Sequence, residues 1–368
     1  MNNQKQYNYR QLFSLALMIM LVPALRLFPT RATEIAGRAC WLSPLISLPF
    51  IFAWLYFLYN FISLRQKDEA LPQLTLRLLG KKLGLAALII QFIWLTVYAG
   101  FVLRSGADRL IVTIYPKTSA SVFSVTMGIL GLFASLLSAR TLVRTAGLIR
   151  PILMTVLFLI LIFAFFDIDI DNLLPVSVSD LPSVALAALL PFDIVSVAAY
   201  AVCFYTAELS EEKGRLGSLF LWAGLCILII TLLGITITGT FGAELSSRLS
   251  RPFFVLVRNL VFFNSIERVE ALVVMLWIFP DFLLTSMFIY ASRDTLLLIL
   301  SEKINAESIR LPVSLCLGFA VILLALFIAP DSESLDNWST VYIPAVNLFL
   351  MLVFLPAVYI TGKLRARQ

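Results

Sequence analysis

Apolar residues run in long blocks separated by short polar clusters, and a block of about 20 residues is what an α-helix needs to cross a bilayer. Ten such blocks are predicted as membrane spans, at roughly 12–33, 41–64, 83–104, 119–138, 148–166, 183–206, 217–240, 268–292, 312–329 and 339–361. The fourth and ninth are among the shortest. Polar runs such as Arg65-Gln66-Lys67-Asp68-Glu69, Tyr115-Pro116-Lys117-Thr118 and Asp331-Ser332-Glu333 supply turns. Composition agrees: 60% of the chain is hydrophobic and 14% charged, with a mean hydropathy of +0.95, which excludes a soluble domain. The pattern predicts an all-α polytopic membrane protein with a single integral membrane domain over residues 1–368.

Two spans break their own pattern. The sixth carries Pro191 and Asp193 near its middle. Proline removes a backbone hydrogen bond and clashes with the preceding turn. In hydrocarbon the freed carbonyls need other partners, so such a break belongs where it faces protein or a watery cavity. An aspartate at mid-membrane costs roughly 2.5 kcal/mol or more and by default marks a functional site. The alternative is a plain proline kink, with Asp193 hydrogen-bonded to a neighbouring helix. The first span mirrors the sixth, since Pro23 and Pro29 flank Arg26. Interrupted helices at matching places in two halves point to an inverted repeat around a midplane site. The first repeat is expected at about 11–166 and the second at about 183–361.

Residues 244–266 form a long outer connection whose apolar part, PFFVLVRNLVFF, is too short to span and is expected to lie in the interface. Eighteen of the 28 lysines and arginines fall on the side of the two termini, which the positive-inside rule makes cytoplasmic. Arg248, Arg251 and Arg258 run against that trend. They fit either an anionic lipid or partner protein on the outer face, or a merely solvated one. The chain has no histidine, which removes His-based metal sites, triads and proton relays. Its four cysteines lack ligand spacing and read as small hydrophobes. No catalytic residue, metal or cofactor is expected. The formal charge of +6 sits mostly in loops and reports topology rather than a nucleic-acid partner.

The eighth span opens on Glu267, Arg268 and Glu270. The two glutamates share a helical face near the positive end of the helix, either as caps or as functional groups. Asp281 follows about 21 Å along the axis, still within the membrane core. At this point the chain resembles a family. SIERVEALVVMLWIFPDFLLTSMFIYASRDTL is similar to the ER-x-E…W signature of the integral-membrane B subunits of Ger-type spore germinant receptors, in the amino acid–polyamine–organocation transporter superfamily. AGRACWLSPLIS, the stretch from Leu103 to Asp108 with Arg104, and LLPVSVSDLPS extend the likeness.

The resemblance implies a LeuT-type 5+5 inverted repeat with discontinuous helices 1 and 6 and a ligand pocket among spans 1, 3, 6 and 8. It also implies assembly with an A subunit and a lipoprotein C subunit in the spore inner membrane. Carried onto this chain, the unwound segments are Val22-Pro23-Ala24-Leu25 and Pro191-Phe192-Asp193-Ile194-Val195-Ser196. Relatives often have a Gly-rich break in helix 1 that offers backbone amides to a carboxylate. Here it is Pro-Ala, and proline donates no N–H.

If the sixth and eighth spans are neighbours, Asp193 and Asp281 approach one cavity, where two carboxylates cannot both stay charged without a cation. That suits an ammonium ligand, or coupling to H⁺ or Na⁺. Arg26 either neutralises one of them or forms a static bridge that fixes packing. Tyr98, with Trp94, Thr96, Ser286 and Tyr290, adds candidate hydroxyl or aromatic contacts. The first expectation is therefore a receptor subunit for a small, amino acid-like germinant. A proton- or sodium-coupled amino acid permease competes with it. So does a scaffold that binds no ligand, which the missing glycines favour.

Overall fold

The computed structural model describes residues 7–113, 115–210, 216–259, 269–301 and 306–365. Helix α1 (Tyr9–Arg26) starts at a capping box, in which Asn8 accepts from the Gln11 amide and Gln11 reaches back to the Asn8 N–H. It ends at Leu27, and α2 (Phe28–Ala36) follows with Pro29 in its first turn. Pro29 has no N–H to give the Leu25 carbonyl, so the helix opens between them. The same device recurs in the second half. Helices α7 (Leu181–Ala187) and α8 (Leu189–Val202) part at Ala188, three residues before Pro191.

Both discontinuities exist, but neither lies where it was expected. Val22 to Leu25 and Pro191 to Ser196 are helical, and the breaks fall at Leu27 and Ala188. The reason is that a proline's lost bond and ring clash act on the turn before it, not on the proline itself. Pro23 is absorbed within α1, where its carbonyl still accepts from the Leu27 amide at 2.8 Å.

The remaining helices are α3 (Ser43–Ile62), α4 (Leu71–Thr113), α5 (Ala120–Ser135), α6 (Ala139–Phe165), α9 (Leu216–Arg248), α10 (Pro252–Asn259), α11 (Val269–Leu300) and α12 (Ala306–Phe327). The chain closes with α13 (Ser332–Asn337), α14 (Ile343–Phe349) and α15 (Leu355–Arg365), which run on through π turns at Trp338–Tyr342 and Leu350–Phe354. Among the described residues, nine helical stretches are long and apolar enough to cross a membrane. Apolar α5 has 16 residues. At 1.5 Å each it reaches about 24 Å, short of a ~30 Å hydrocarbon core. The fourth expected span, 119–138, therefore stays below full crossing length.

The long α11 lies along α4, while α1 packs against α8, α6 and α11 at the centre of the bundle. Its burial fits that place, with Leu15, Ala16, Met18, Met20, Leu21 and Ala24 all fully enclosed. Helix α4 bends at Gly80, whose φ of 69° only glycine adopts readily. A Cβ there would also come within 2.6 Å of the Arg365 guanidinium, which donates to the Leu79 carbonyl. Helix α10 buries Pro252, Phe253, Phe254, Leu256 and Val257, and Phe253 meets Trp277 of α11 at 5.7 Å between ring centroids. Its apolar face thus turns into the protein.

Candidate functional site

A cavity opens beside the α1/α2 break, between α1, α4, α8, α11 and the π turn leading into α14. Its lining includes Ile19, Val22, Pro23, Arg26, Leu27, Tyr98, Phe101, Ser105, Asp193, Ile194, Ser339 and Asn347. About 40 Å³ is open to the centre of a water molecule, room for only a few waters. The walls are apolar and aromatic. Tyr98 lies 4.7 Å from the Phe288 ring and 5.4 Å from Trp94.

Asp193 is the buried carboxylate of this cavity. One carboxylate oxygen accepts from Asn347 Nδ2 at 3.4 Å, and Asn347 Oδ1 in turn accepts from Trp94 Nε1 at 3.0 Å. The other oxygen, Oδ1, is buried with no hydrogen-bond partner, and so is the Ser196 hydroxyl three residues on. A buried ionised carboxylate with an unfilled lone pair is costly unless a cation or donor completes it. The site is chemically incomplete as it stands.

Arg26 occupies the other end. Its guanidinium donates to Ser105 Oγ and to Asp336 Oδ1, the latter at 3.3 Å, and lies over the Phe101 ring at 5.7 Å. Asp336 is half-exposed, so this pair closes the cavity where α13 reaches the surface. Behind it stands a larger ionic network. Arg251 binds Asp108 and comes within 3.6 Å of Asp336, while Asp108 also accepts from Ser332 at 2.8 Å and faces Arg104 at 3.8 Å. Arg251 is buried in that network and so does not present itself to a lipid or partner at the surface.

The structure brings Val22, Pro23, Arg26, Tyr98, Asp193 and Ile194 to one cavity. Ala24, Leu25, Phe192 and Ser196 are buried in the same helices but do not line it. Asp281 is elsewhere: it pairs with Arg109 at 2.7 Å, both groups buried between α4 and α11, and does not share the Asp193 cavity. The expected carboxylate pair is thus two separate sites, because α4 supplies Asp281 with its own cation. Arg104 and Asp108 sit together in the network around Arg251. Glu267 and Arg268 lie outside the described residues, and Glu270 falls in the first turn of α11.

Sequence reasoning missed Asn347, Ser105, Arg109 and Asp336. Asn347 did carry a signal, a lone amide within the apolar run Val341-Tyr342-Ile343-Pro344-Ala345-Val346-Asn347-Leu348. The others are ordinary polar residues whose role depends on a helix far away in sequence.

The backbone path is similar to that of the solved structure of MhsT in complex with L-phenylalanine. The TM-score is 0.64 over 98% of this chain and 100% of that one, at 17% identity. That likeness, with the two interrupted helices, defines an integral membrane protein of LeuT-type fold. The chain belongs to the spore germination protein family, whose model matches residues 7–335. No curated protein matches the sequence.

Proposed function

We propose that this protein is the membrane subunit of a nutrient germinant receptor, which binds a small amine-bearing, amino acid-like germinant in the α1/α8 cavity. Occupancy would be passed to A-type and C-type partner subunits in the spore inner membrane, with both termini in the cytoplasm. The observation that carries this reading is the buried Asp193 carboxylate, whose Oδ1 lacks a partner inside a narrow, largely apolar cavity. An ammonium group supplies both the missing charge and the missing donors. A ligand carboxylate then has Arg26 at the opposite end, in place of the backbone amides that Pro23 withholds. Because the cavity holds only a few waters, binding requires the helices to move. That movement is the signal, and its size is set by the ligand's differential affinity for the two states. MhsT was solved with an amino acid, L-phenylalanine, which supports the ligand class.

A coupled amino acid permease is the second reading. A separate apolar crevice, lined by Phe13, Leu58, Ala199, Cys203 and Trp222, lies toward the N-terminal end of α1, and a passage from it to the cavity is what alternating access would have to open. Thermal stabilisation of the purified protein, screened across amino acids, amines, sugars and nucleosides, tests the first reading. Saturation at 100-fold over Kd adds about 2.7 kcal/mol to stability. The expected result is an amine-bearing hit that Asp193→Asn abolishes. A hit that survives this substitution would remove Asp193 from the mechanism. Uptake of that hit into liposomes would favour the permease over the receptor.

A further inference from the structure

A second recess lies at the N-terminal end of α1 where it packs on α6, and the germinant reading leaves it unused. It has a volume of about 360 Å³ and is lined by Arg10 and Ser14 of α1 and Arg144, Gly147, Leu148 and Arg150 of α6, among others. The three arginines are exposed, and none makes an ion pair or side-chain hydrogen bond among the described residues. No carboxylate lines the recess. This contrasts with the buried arginines of the bundle, where Arg26, Arg104, Arg109 and Arg251 each meet an aspartate.

The floor of the recess is as informative as its charge. Gly147 sits inside α6 with helical geometry, and a Cβ added there would meet nothing within 4 Å. Neither a turn nor a close approach calls for glycine at this position, and in a helix interior it is a poor former. Its effect is to keep the space between the guanidiniums open. Beside it, Leu148 is 73% exposed, and Ile152 and Leu159 continue as exposed apolar residues along α6 toward the middle of the span. A basic recess thus runs into an apolar, outward-facing strip at the end of two membrane helices.

We propose that this recess binds the phosphate headgroup of an anionic phospholipid, with an acyl chain lying along Leu148, Ile152 and Leu159. Guanidiniums hold phosphate oxygens through paired, charge-assisted hydrogen bonds, and basic pockets between helices at a membrane surface are suited to such headgroups. The inference does not depend on the germinant cavity, and its test does not read ligand binding or germination.

The test uses the full-length protein in nanodiscs of pure phosphatidylcholine, to which short-chain phosphatidylglycerol, short-chain phosphatidylcholine or inorganic phosphate is added while melting is followed. Phosphatidylglycerol is expected to stabilise the wild type, and the other two to have little effect. Gly147→Glu places a carboxylate among the arginines in space that is already open. It should weaken the phosphatidylglycerol response by roughly tenfold or more while leaving the melting temperature in phosphatidylcholine no lower. Arg150→Gln should weaken it less, and decides the matter alone if Gly147→Glu does not fold. Lys82→Gln, which removes an exposed charge elsewhere, should behave as the wild type. An equal loss in Lys82→Gln would mean diffuse attraction to the surface and overturn the site. An equal response to inorganic phosphate would assign the recess to a soluble phosphate and overturn the lipid.

Discussion

Asp193 and Asp281 are both buried aspartates in membrane helices, and their partners separate their roles. Asp281 has a salt bridge with Arg109, also buried. Removing one half of a buried ion pair leaves an uncompensated charge and costs about 3–5 kcal/mol. Asp281→Asn is therefore expected to lower the midpoint of thermal unfolding markedly. Asp193 has one amide donor and no ion pair among the described residues, so Asp193→Asn relieves a burial cost and should leave the melting temperature equal or higher. Its effect belongs on the ligand, where losing a hydrogen bond to a charged group costs about 1.5–3 kcal/mol, or roughly 10- to 100-fold in affinity. If both variants melt alike, the distinction between a packing aspartate and a binding aspartate fails. Asp193 was legible in the sequence because a charge two residues from a proline stands out in an apolar run. The separation from Asp281 was not, because it depends on Arg109, 172 positions away and reachable only once α4 lies along α11.

At the scale of elements, the prolines make the hinges. Which helices break could be read from Pro29 and Pro191, but where they break follows from a turn geometry that the sequence shows only indirectly. Proline in a helix interior costs about 3 kcal/mol, and Pro191→Ala returns an N–H to the Ala187 carbonyl. The protein is expected to melt no lower. Stiffening the α7/α8 joint should reduce the population able to close on ligand, weakening apparent affinity by roughly tenfold. Unchanged affinity in thermal-shift titrations would show that Ala188 is not a working hinge. The polar turn before α4 is a simpler element. Glu69 accepts from Arg77 Nε at 2.8 Å and from the Gln66 amide at 2.8 Å. Burial alone would raise its pKa, but Arg77 and that amide outweigh burial and hold it below the ordinary glutamate value. A depressed folded pKa gives stability that is present above the unfolded value of about 4.3 and is lost as pH falls through the folded one. The wild type should therefore melt above Glu69→Gln at pH 6, and the gap should shrink below about pH 4.3. A gap that is constant with pH would assign the effect to packing.

For the whole molecule, α1 is tied at both of its ends by different means. On one side, the network around Asp108, Arg251 and Asp336 ties α1, α4 and α13 together. On the other, Tyr7 straps the start of α1 to the end of the α8 segment. Its N–H donates to the Glu208 carbonyl at 3.2 Å, its carbonyl accepts from the Ser210 amide at 3.0 Å, and its hydroxyl donates to the Tyr205 carbonyl. If α1 and α8 rock as one body around the cavity, loosening one tie must tighten the other end. Cys203 reports on this, since it is buried yet lines the crevice on the Tyr7 side. With Cys40, Cys226 and Cys316 replaced by serine, thiol labelling of Cys203 measures how often that crevice opens. Asp336→Asn weakens the far tie, a half-exposed ion pair worth at most about 1 kcal/mol, and should slow labelling by up to roughly fivefold. Tyr7→Phe removes the hydroxyl bond from the near strap and should speed labelling. Opposite signs from substitutions at opposite ends require a shared moving body. Equal signs, or no change in either, would mean that the ends open independently and that a ligand in the cavity is read only by the helices that touch it.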